Sequence, residues 1–398
     1  MRLLAVIGGT AVVAAVFLGM VDTLVSTRLR NNTRRRFADW LADQAWTLFR
    51  AIARRASRRQ TRAGQPRKAR ARRETILSLY PSVVLLTLIA CWVGFQVVGW
   101  ALIWWGSGVI GGVTDMLESV YYSGVVYFTI GFGDITPVSG IGRMLTLVEG
   151  FSGVLFIALT VGYLPNLYGS YARREQVLLL LDDGTPGHTT PMALAGAFLD
   201  GSIDFRDLDQ TLGEWEQWVA MVLETHTSHP MLAYFRSQHL GRSWATGMGL
   251  MADVAVISIV ARGDEKGPAW RLYRRCVSTF VVMTASLGLT PSEVDDDDVD
   301  APTAQDLVDL GLPLPDDPDR VLAEYHTLRA SYAGHLDSLL RHLDAPRRFF
   351  GALVPVTVEQ AHAGAAATGA AAESRVVGQS DVDAPSAPVT TADDDARG

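Results

Sequence analysis

Cysteine is almost missing from this chain. Its 398 residues hold two, Cys91 and Cys276, far apart. Two distant thiols make no disulfide framework, and both are expected to be reduced, one inside a membrane and one in a cytoplasmic part. No Cys/His cluster has zinc spacing. Strand-like alternation is sparse, so the elements are expected to be helices. No GxGxxG follows a strand, and a nucleotide-binding domain of that kind is not visible. There is no nucleophile elbow, no paired carboxylates in a plausible cleft and no metal motif. The sequence therefore gives the enzyme class no support.

Charge of one sign is missing from long stretches and concentrated in another. Between Arg28 and Arg73 stand fifteen arginines and Lys68 against only Asp39 and Asp43, a net +14. The chain as a whole carries −7, so the remainder carries −21. Such asymmetry is a partitioning signal. The basic segment lies between membrane-length apolar runs. Contact with anionic lipid headgroups accounts for it more simply than nucleic acid does. Within it Phe37, Trp40, Leu41, Ala45, Leu48, Phe49 and Ile52 recur at helical spacing, which predicts an amphipathic helix on the inner leaflet.

Three runs are long and apolar enough to cross a bilayer: residues 3–21, 76–105 and 144–164, the last interrupted only by Glu149. The first could instead be a cleaved signal peptide. Cleavage would export the +14 segment, which the positive-inside rule opposes. A first helix with its N-terminus outside leaves the basic segment cytoplasmic. The second helix then runs outward and the third back in, with Arg173 and Arg174 inside. Trp100, Trp104 and Trp105 fall at the outer interface. Glu149, an ionisable residue at membrane depth, is expected to face the short helix over residues 116–128 and not lipid.

Between the second and third runs stands FTIGFGDITP, residues 128–137. Irregular backbone at membrane depth is tolerated only where it is buried in protein or lines a watery cavity. Glycines at 131 and 133 permit positive φ, and alternating them with side-chain residues can aim successive carbonyls one way. A ring of such carbonyls can replace the hydration shell of a monovalent cation.

Thr129 to Asp134, TIGFGD, resembles the filter signature of the potassium-channel superfamily. GDITPVSGIGRMLTLVEGFSG resembles, without a gap, the filter exit and inner helix of bacterial two-transmembrane members, sharing Gly133, Asp134, Pro137, Gly142, Arg143 and Gly153. MLESVYYSGVVYF stands where the pore helix belongs. The resemblance covers roughly residues 76–165. It implies an all-α membrane protein whose pore is closed by four copies, with potassium as the permeant ion and no cofactor. Carbonyls of Thr129, Ile130, Gly131 and Phe132, with the Thr129 hydroxyl, would bind potassium. Gly133 and Asp134 would form the outer mouth, or Asp134 would only cap and brace the loop. Gly153, Ile157, Val161 and Pro165 would belong to the inner pore and gate, Gly153 as hinge or as a site of close packing. Phe128, Val125 and Phe132 depart from the bacterial pattern and remove polar struts behind the filter. Asp115 and Glu118 would concentrate cations or match the pore-helix dipole.

The expected organisation is an N-terminal transmembrane helix (1–27), a basic cytoplasmic linker (28–75) and a pore domain (76–167). The pore domain divides into an outer helix 76–105, pore helix 116–128, filter 129–134 and inner helix 142–165, with Pro165 kinking or ending the last. A short link, 168–175, leads into a cytoplasmic helical domain (168–355), with helices around 215–223, 248–259, 273–283 and 321–343, and then a disordered tail (356–398). HPMLAYFRSQHLGRSW, residues 229–244, resembles a cytoplasmic segment of other bacterial channel-like proteins. His226, His229 and His239 read as ordinary histidines more readily than as a metal or pH site. Residues 295–298 and Asp300 read as a solvated acidic linker and not a calcium loop. The expected function is a plasma-membrane, multi-pass, homotetrameric potassium channel gated by its cytoplasmic domain through an unknown ligand. A poorly selective monovalent cation channel and a non-conducting membrane signalling protein are the alternatives. No membrane helix is arginine-rich, so voltage sensing of the usual kind is not expected.

Overall fold

A computed structural model describes residues 1–24, 37–110, 115–181, 205–237, 243–262, 266–293 and 318–346. The acidic run 295–298, Asp300, His239, the first residues of the basic segment and the tail from 356 lie outside the described residues. Those described are helical, without a strand among them: an all-α membrane protein.

Helix α1 (Arg2–Leu24) is apolar along its length. Its 23 residues span about 35 Å, enough for the roughly 30 Å hydrocarbon core. Helix α2 (Phe37–Arg62) is followed by α3 (Pro66–Ser107). Helix α3 opens on a proline that has no N–H to leave unpaired. It closes on Gly108 at φ 62°, whose N–H bonds the Trp104 carbonyl. Helices α1 and α3 pack antiparallel along a seam of small residues. A Cβ on Gly9 would lie 2.5 Å from the Gly99 carbonyl, and one on Gly106 would lie 2.6 Å from the Arg2 carbonyl. Further along, Met20 shares an apolar cluster with Leu88 and Trp92.

The short helix α4 (Met116–Tyr127) is capped by Asp115, whose carboxylate accepts the Glu118 N–H at 2.8 Å. Helix α5 (Gly140–Leu180) is capped by Ser139. It does not stop near residue 165, and residues 168–175 are not a link: one helix of 41 residues runs through Pro165. A helix-interior proline costs about 3 kcal/mol. Leu167, Ser170, Arg174 and Leu178 recur every three or four residues as a buried face, and that packing carries the helix on.

Helix α2 differs from the expected leaflet-bound element on one side. Ala42, Ala45, Trp46, Phe49 and Ala53 pack into protein. Trp46 meets Tyr80 of α3 edge-on at 4.9 Å, and its Nε1 donates to the His342 carbonyl at 3.0 Å. Phe37, Trp40, Leu48 and Ile52 stay exposed on the other side. The apolar residues thus form two stripes, one for protein and one outward.

Helices α6 (Phe205–Ser228), α7 (Trp244–Arg262), α8 (Pro268–Ser286) and α9 (Pro318–Leu343) contain the four segments expected from periodicity. A 3-10 turn, Pro230–Tyr234, follows α6. Helix α7 is apolar and long enough to cross a membrane, yet every residue from Trp244 to Ala261 is buried in protein. It is the core of this helical part. Its Asp253 accepts from Tyr332 and, at 3.3 Å, from Arg329, so the buried carboxylate is paired.

Candidate functional site

The stretch after α4 is held to it by two backbone bonds. The Thr129 N–H donates to the Val126 carbonyl at 3.0 Å and the Ile130 N–H to the Val125 carbonyl at 2.9 Å. From there the backbone alternates in hand. Thr129 has φ 57°, Gly131 has φ 70° and Gly133 has φ 77°, while Ile130 and Phe132 stay at negative φ. Alternating the sign of φ turns successive peptide planes and can bring their carbonyls to one side. A β-branched residue at positive φ is strained by about 1–2 kcal/mol, and such strain persists where a site needs it. Space is not why glycine stands at 131 and 133, since a Cβ on either would meet nothing within 4 Å. Backbone hand is the reason.

The whole segment 128–134 is exposed in the single chain. Among the described residues it is held from one side only. Asp134 Oδ2 accepts from the Tyr121 hydroxyl at 2.8 Å, tying the exit of the strip to α4. Ile110 bridges Pro137 just beyond. The Asp134 brace was anticipated, but its partner Tyr121, 13 residues away, was not. Nothing local in the sequence marks it.

Helix α5 receives α4 over three successive turns. Thr146 Oγ1 pairs with the Tyr122 hydroxyl at 2.6 Å. Glu149, fully buried, faces Ser123 of α4 and accepts from Trp104 Nε1 of α3 at 2.7 Å. Gly153 admits the end of α4, for a Cβ there would lie 2.2 Å from the Tyr127 carbonyl oxygen. Gly153 therefore sits in a close helix contact within an unbroken helix. Ile157, Val161 and Pro165 follow at four-residue steps as an exposed stripe. The expected inner-pore residues are thus divided, Gly153 against α4 and the other three on the open stripe.

The far end of α5 enters the helical part at Arg174, which is buried. Its guanidinium donates to the carbonyls of Leu232 at 2.9 Å and Phe235 at 2.7 Å and to Glu175, and it lies 3.3 Å from His226 Nε2. The segment 229–236 touches several helices at once. Tyr171 of α5 donates to the Arg236 carbonyl at 3.0 Å, and the Arg236 guanidinium pairs with Glu74 of α3 at 3.5 Å. Tyr234 packs on Trp46 and Tyr80, and its hydroxyl meets His342 Nε2 of α9 at 3.0 Å. Arg73 of α3 pairs with Asp344. Sequence reasoning singled out this segment but not its contacts.

Burial, and then the Arg174 charge, holds His226 well below the ordinary histidine range. Burial, with Arg50 second, lowers His342 to about 4. His226 and His229 join no metal-type cluster among the described residues.

Residues 82–168 match the family model described as "Ion channel". The chain is also similar to three curated bacterial proteins. An uncharacterized membrane protein, YdjJ, of Bacillus subtilis is 27% identical over 175 residues, 41% of this chain and 49% of the relative. A Rhodopseudomonas palustris protein named "Putative potassium channel protein" is 32% identical over 62 residues, 16% of this chain and 15% of its own length. Protein LctB of Geobacillus stearothermophilus is 32% identical over 90 residues, 19% of this chain and 66% of its own length. The chain thus spans about half of the first relative and less than two thirds of the others. No solved structure matches. The match to the ion channel model lies between α3 and α5, over the residues that carry the loop 128–137.

Proposed function

We propose that four copies of this chain form a potassium-selective channel. The carrying observation is the alternation of positive and negative φ from Thr129 to Gly133, a pattern that can aim the carbonyls of Thr129, Ile130, Gly131 and Phe132 to one side. A strip of carbonyls on the surface of one chain covers only one flank of an ion. Four strips about a common axis replace its hydration shell, and a closed cyclic assembly supplies that axis. Exposure of residues 128–134 supports this, as does the similarity to a relative named as a potassium channel. Thr129, Ile130, Gly131 and Phe132 bind the permeant ion, Gly133 and Asp134 form the outer mouth, and Ile157, Val161 and Pro165 line the inner pore.

The chain crosses a plasma membrane with its N-terminus outside and its C-terminal part cytoplasmic. Arg2 stands at the Gly106 end of α3, toward the loop 128–137, while the basic first turns of α3 lie at its opposite end. Positive charge favours the cytoplasmic side. The arginines of α2 and the start of α3, with exposed Trp40 and Leu48, meet anionic headgroups there. The helical part sets the opening of the pore, because α5 runs without a break from the pore into its Arg174 contacts.

Purified full-length protein in liposomes tests this. Potassium and sodium gradients should give reversal potentials near the potassium value. A reversal potential midway between the two makes the channel poorly selective, and no flux of either ion rejects the reading.

A further inference from the structure

Ser123 Oγ of α4 lies 3.0 Å from the Val97 carbonyl oxygen of α3 and 2.5 Å from Glu149 Oε1 of α5. A carbonyl oxygen only accepts, and a hydroxyl carries one proton. The two contacts therefore call for a second proton. A protonated Glu149 supplies it: the acid donates to Ser123, Ser123 donates to Val97, and Oε2 accepts from Trp104. Every donor and acceptor in this buried set is then satisfied. No basic side chain among the described residues pairs with Glu149, so a carboxylate would stand as an uncompensated charge at membrane depth.

The contacts join three helices at one point. Trp104 and Val97 belong to α3, Ser123 to α4 and Glu149 to α5. Ser123 lies just ahead of Val125 and Val126, whose carbonyls hold the N–H groups of Ile130 and Thr129. A shift of α4 at Ser123 therefore moves the first carbonyls of the strip. Preorganised donors and acceptors hold such a site only when their own supports are fixed.

We propose that Glu149 is a positioning residue for the filter: as a neutral acid it locks α4 to α3 and α5 and so sets where the carbonyls of Thr129 to Gly133 stand. The proposal rests on the reading that these carbonyls conduct cations. It needs the hydrogen-bonding shape of the neutral acid and not its charge, and the conservative variant separates the two.

Full-length protein, E149Q, E149L and S123A are compared in liposomes under potassium and sodium gradients. The glutamine amide still offers a donor to Ser123 and an acceptor to Trp104, so E149Q retains the wild-type permeability ratio within about twofold, whereas E149L and S123A lower it roughly fivefold or more. Should E149L fail to assemble, S123A deletes only a hydroxyl and reads the same contact. An independent arm needs no conduction. The infrared carbonyl band of a protonated carboxylic acid, present in the wild type at neutral pH, loses intensity in E149Q. An unchanged ratio in S123A, an E149Q that fails as E149L does, or no band lost in E149Q overturns the proposal. A wild type that conducts no cation overturns the conduction reading instead, and the infrared arm still reports on the proton.

Discussion

The carbonyl oxygen of Tyr127 occupies the place where Gly153 would carry a Cβ, 2.2 Å from it. The last turn of α4 is thereby pressed against the backbone of α5. Gly153→Ala must push the two apart, and forcing a methyl into such a contact costs about 1–3 kcal/mol. Gly150, one turn earlier, would place its Cβ 3.9 Å from Val126, an ordinary contact. Gly150→Ala should leave stability unchanged or raise it by up to about 1 kcal/mol through helix propensity. Thermal melts of both variants, read beside flux, check this. Equal behaviour would mean that Gly153 is not a packing residue.

Gly131→Ala should abolish potassium flux while the assembled protein persists. Nothing lies within 4 Å of the added methyl, so packing is not the cause. The cause is φ 70°, which a side chain opposes by about 1–2 kcal/mol, repeated in each copy of the strip. Size-exclusion profiles beside liposome flux separate loss of conduction from loss of assembly. Robust flux in this variant removes the strip from the ion path.

The strip was legible in the sequence because glycines stand at 131 and 133, where the backbone takes positive φ. The apolar helices were legible because length and hydropathy are local properties. The polar ties were not. The sequence aims Glu149 at the helix over residues 116–128, but not at Ser123 in particular nor at Trp104 of α3, which lie 26 and 45 residues away with no periodicity to link them. Pro165 reads as a stop, yet the buried face from Leu167 to Leu178 overrides it. Helix α2 reads as leaflet-bound because a moment cannot tell lipid from protein. Trp46 shows which of its two stripes is covered.

Arg174→Ala should change the open probability and leave the potassium-to-sodium ratio as it is. The substitution strands the Phe235 carbonyl, at about 1–3 kcal/mol for a buried unsatisfied group, and leaves the Leu232 carbonyl with only the Phe235 N–H. It also uncouples α5 from the segment 229–236, which reaches α3 through Arg236 and Glu74. Lysine keeps the charge but lacks the planar fork that spans two carbonyls, so Arg174→Lys should restore little. Single-channel recordings give both quantities. A shifted ion ratio with unchanged gating would reverse the division of labour between strip and helical part.

Acid should loosen the joint between α9 and the membrane helices. His342 is held at about 4 by burial first and by Arg50 second, below the ordinary 6.5. A histidine whose folded value is depressed favours the fold while neutral. Its contribution is therefore full above about 6.5 and falls as pH drops from there to about 4, by at most about 3 kcal/mol. His226 acts in the same direction. Melting temperatures measured from pH 7.5 to pH 4.5 should fall across that window, and His342→Gln should flatten part of the fall. A melting temperature independent of pH would contradict both assignments.

The seam of α1 on α3 ties the orientation of the first helix to that of the pore. Gly9 meets Gly99 and Arg2 meets Gly106, so the two helices run in opposite directions and residue 2 stands near the end that leads into the filter loop. The arginines of α2 stand at the other end, beside the Trp46 joint. With the basic end inside, a cysteine at Ser57 should resist an impermeant thiol reagent in intact cells, and one at Gly108 should react. The native thiols do not confuse the reading, because Cys276 is buried and Cys91 lies within the span of α3. Gly108 sits at φ 62°, so the neighbouring exposed Ser107 is the gentler site for a second label. Antiparallel packing forbids an N-terminus on the same side as Ser57. A tag on Met1 should therefore be reached by protease together with position 107 and never together with position 57. Joint protection of the tag and position 107, with position 57 exposed, would invert the chain in the membrane and place the carbonyl strip at the cytoplasmic mouth.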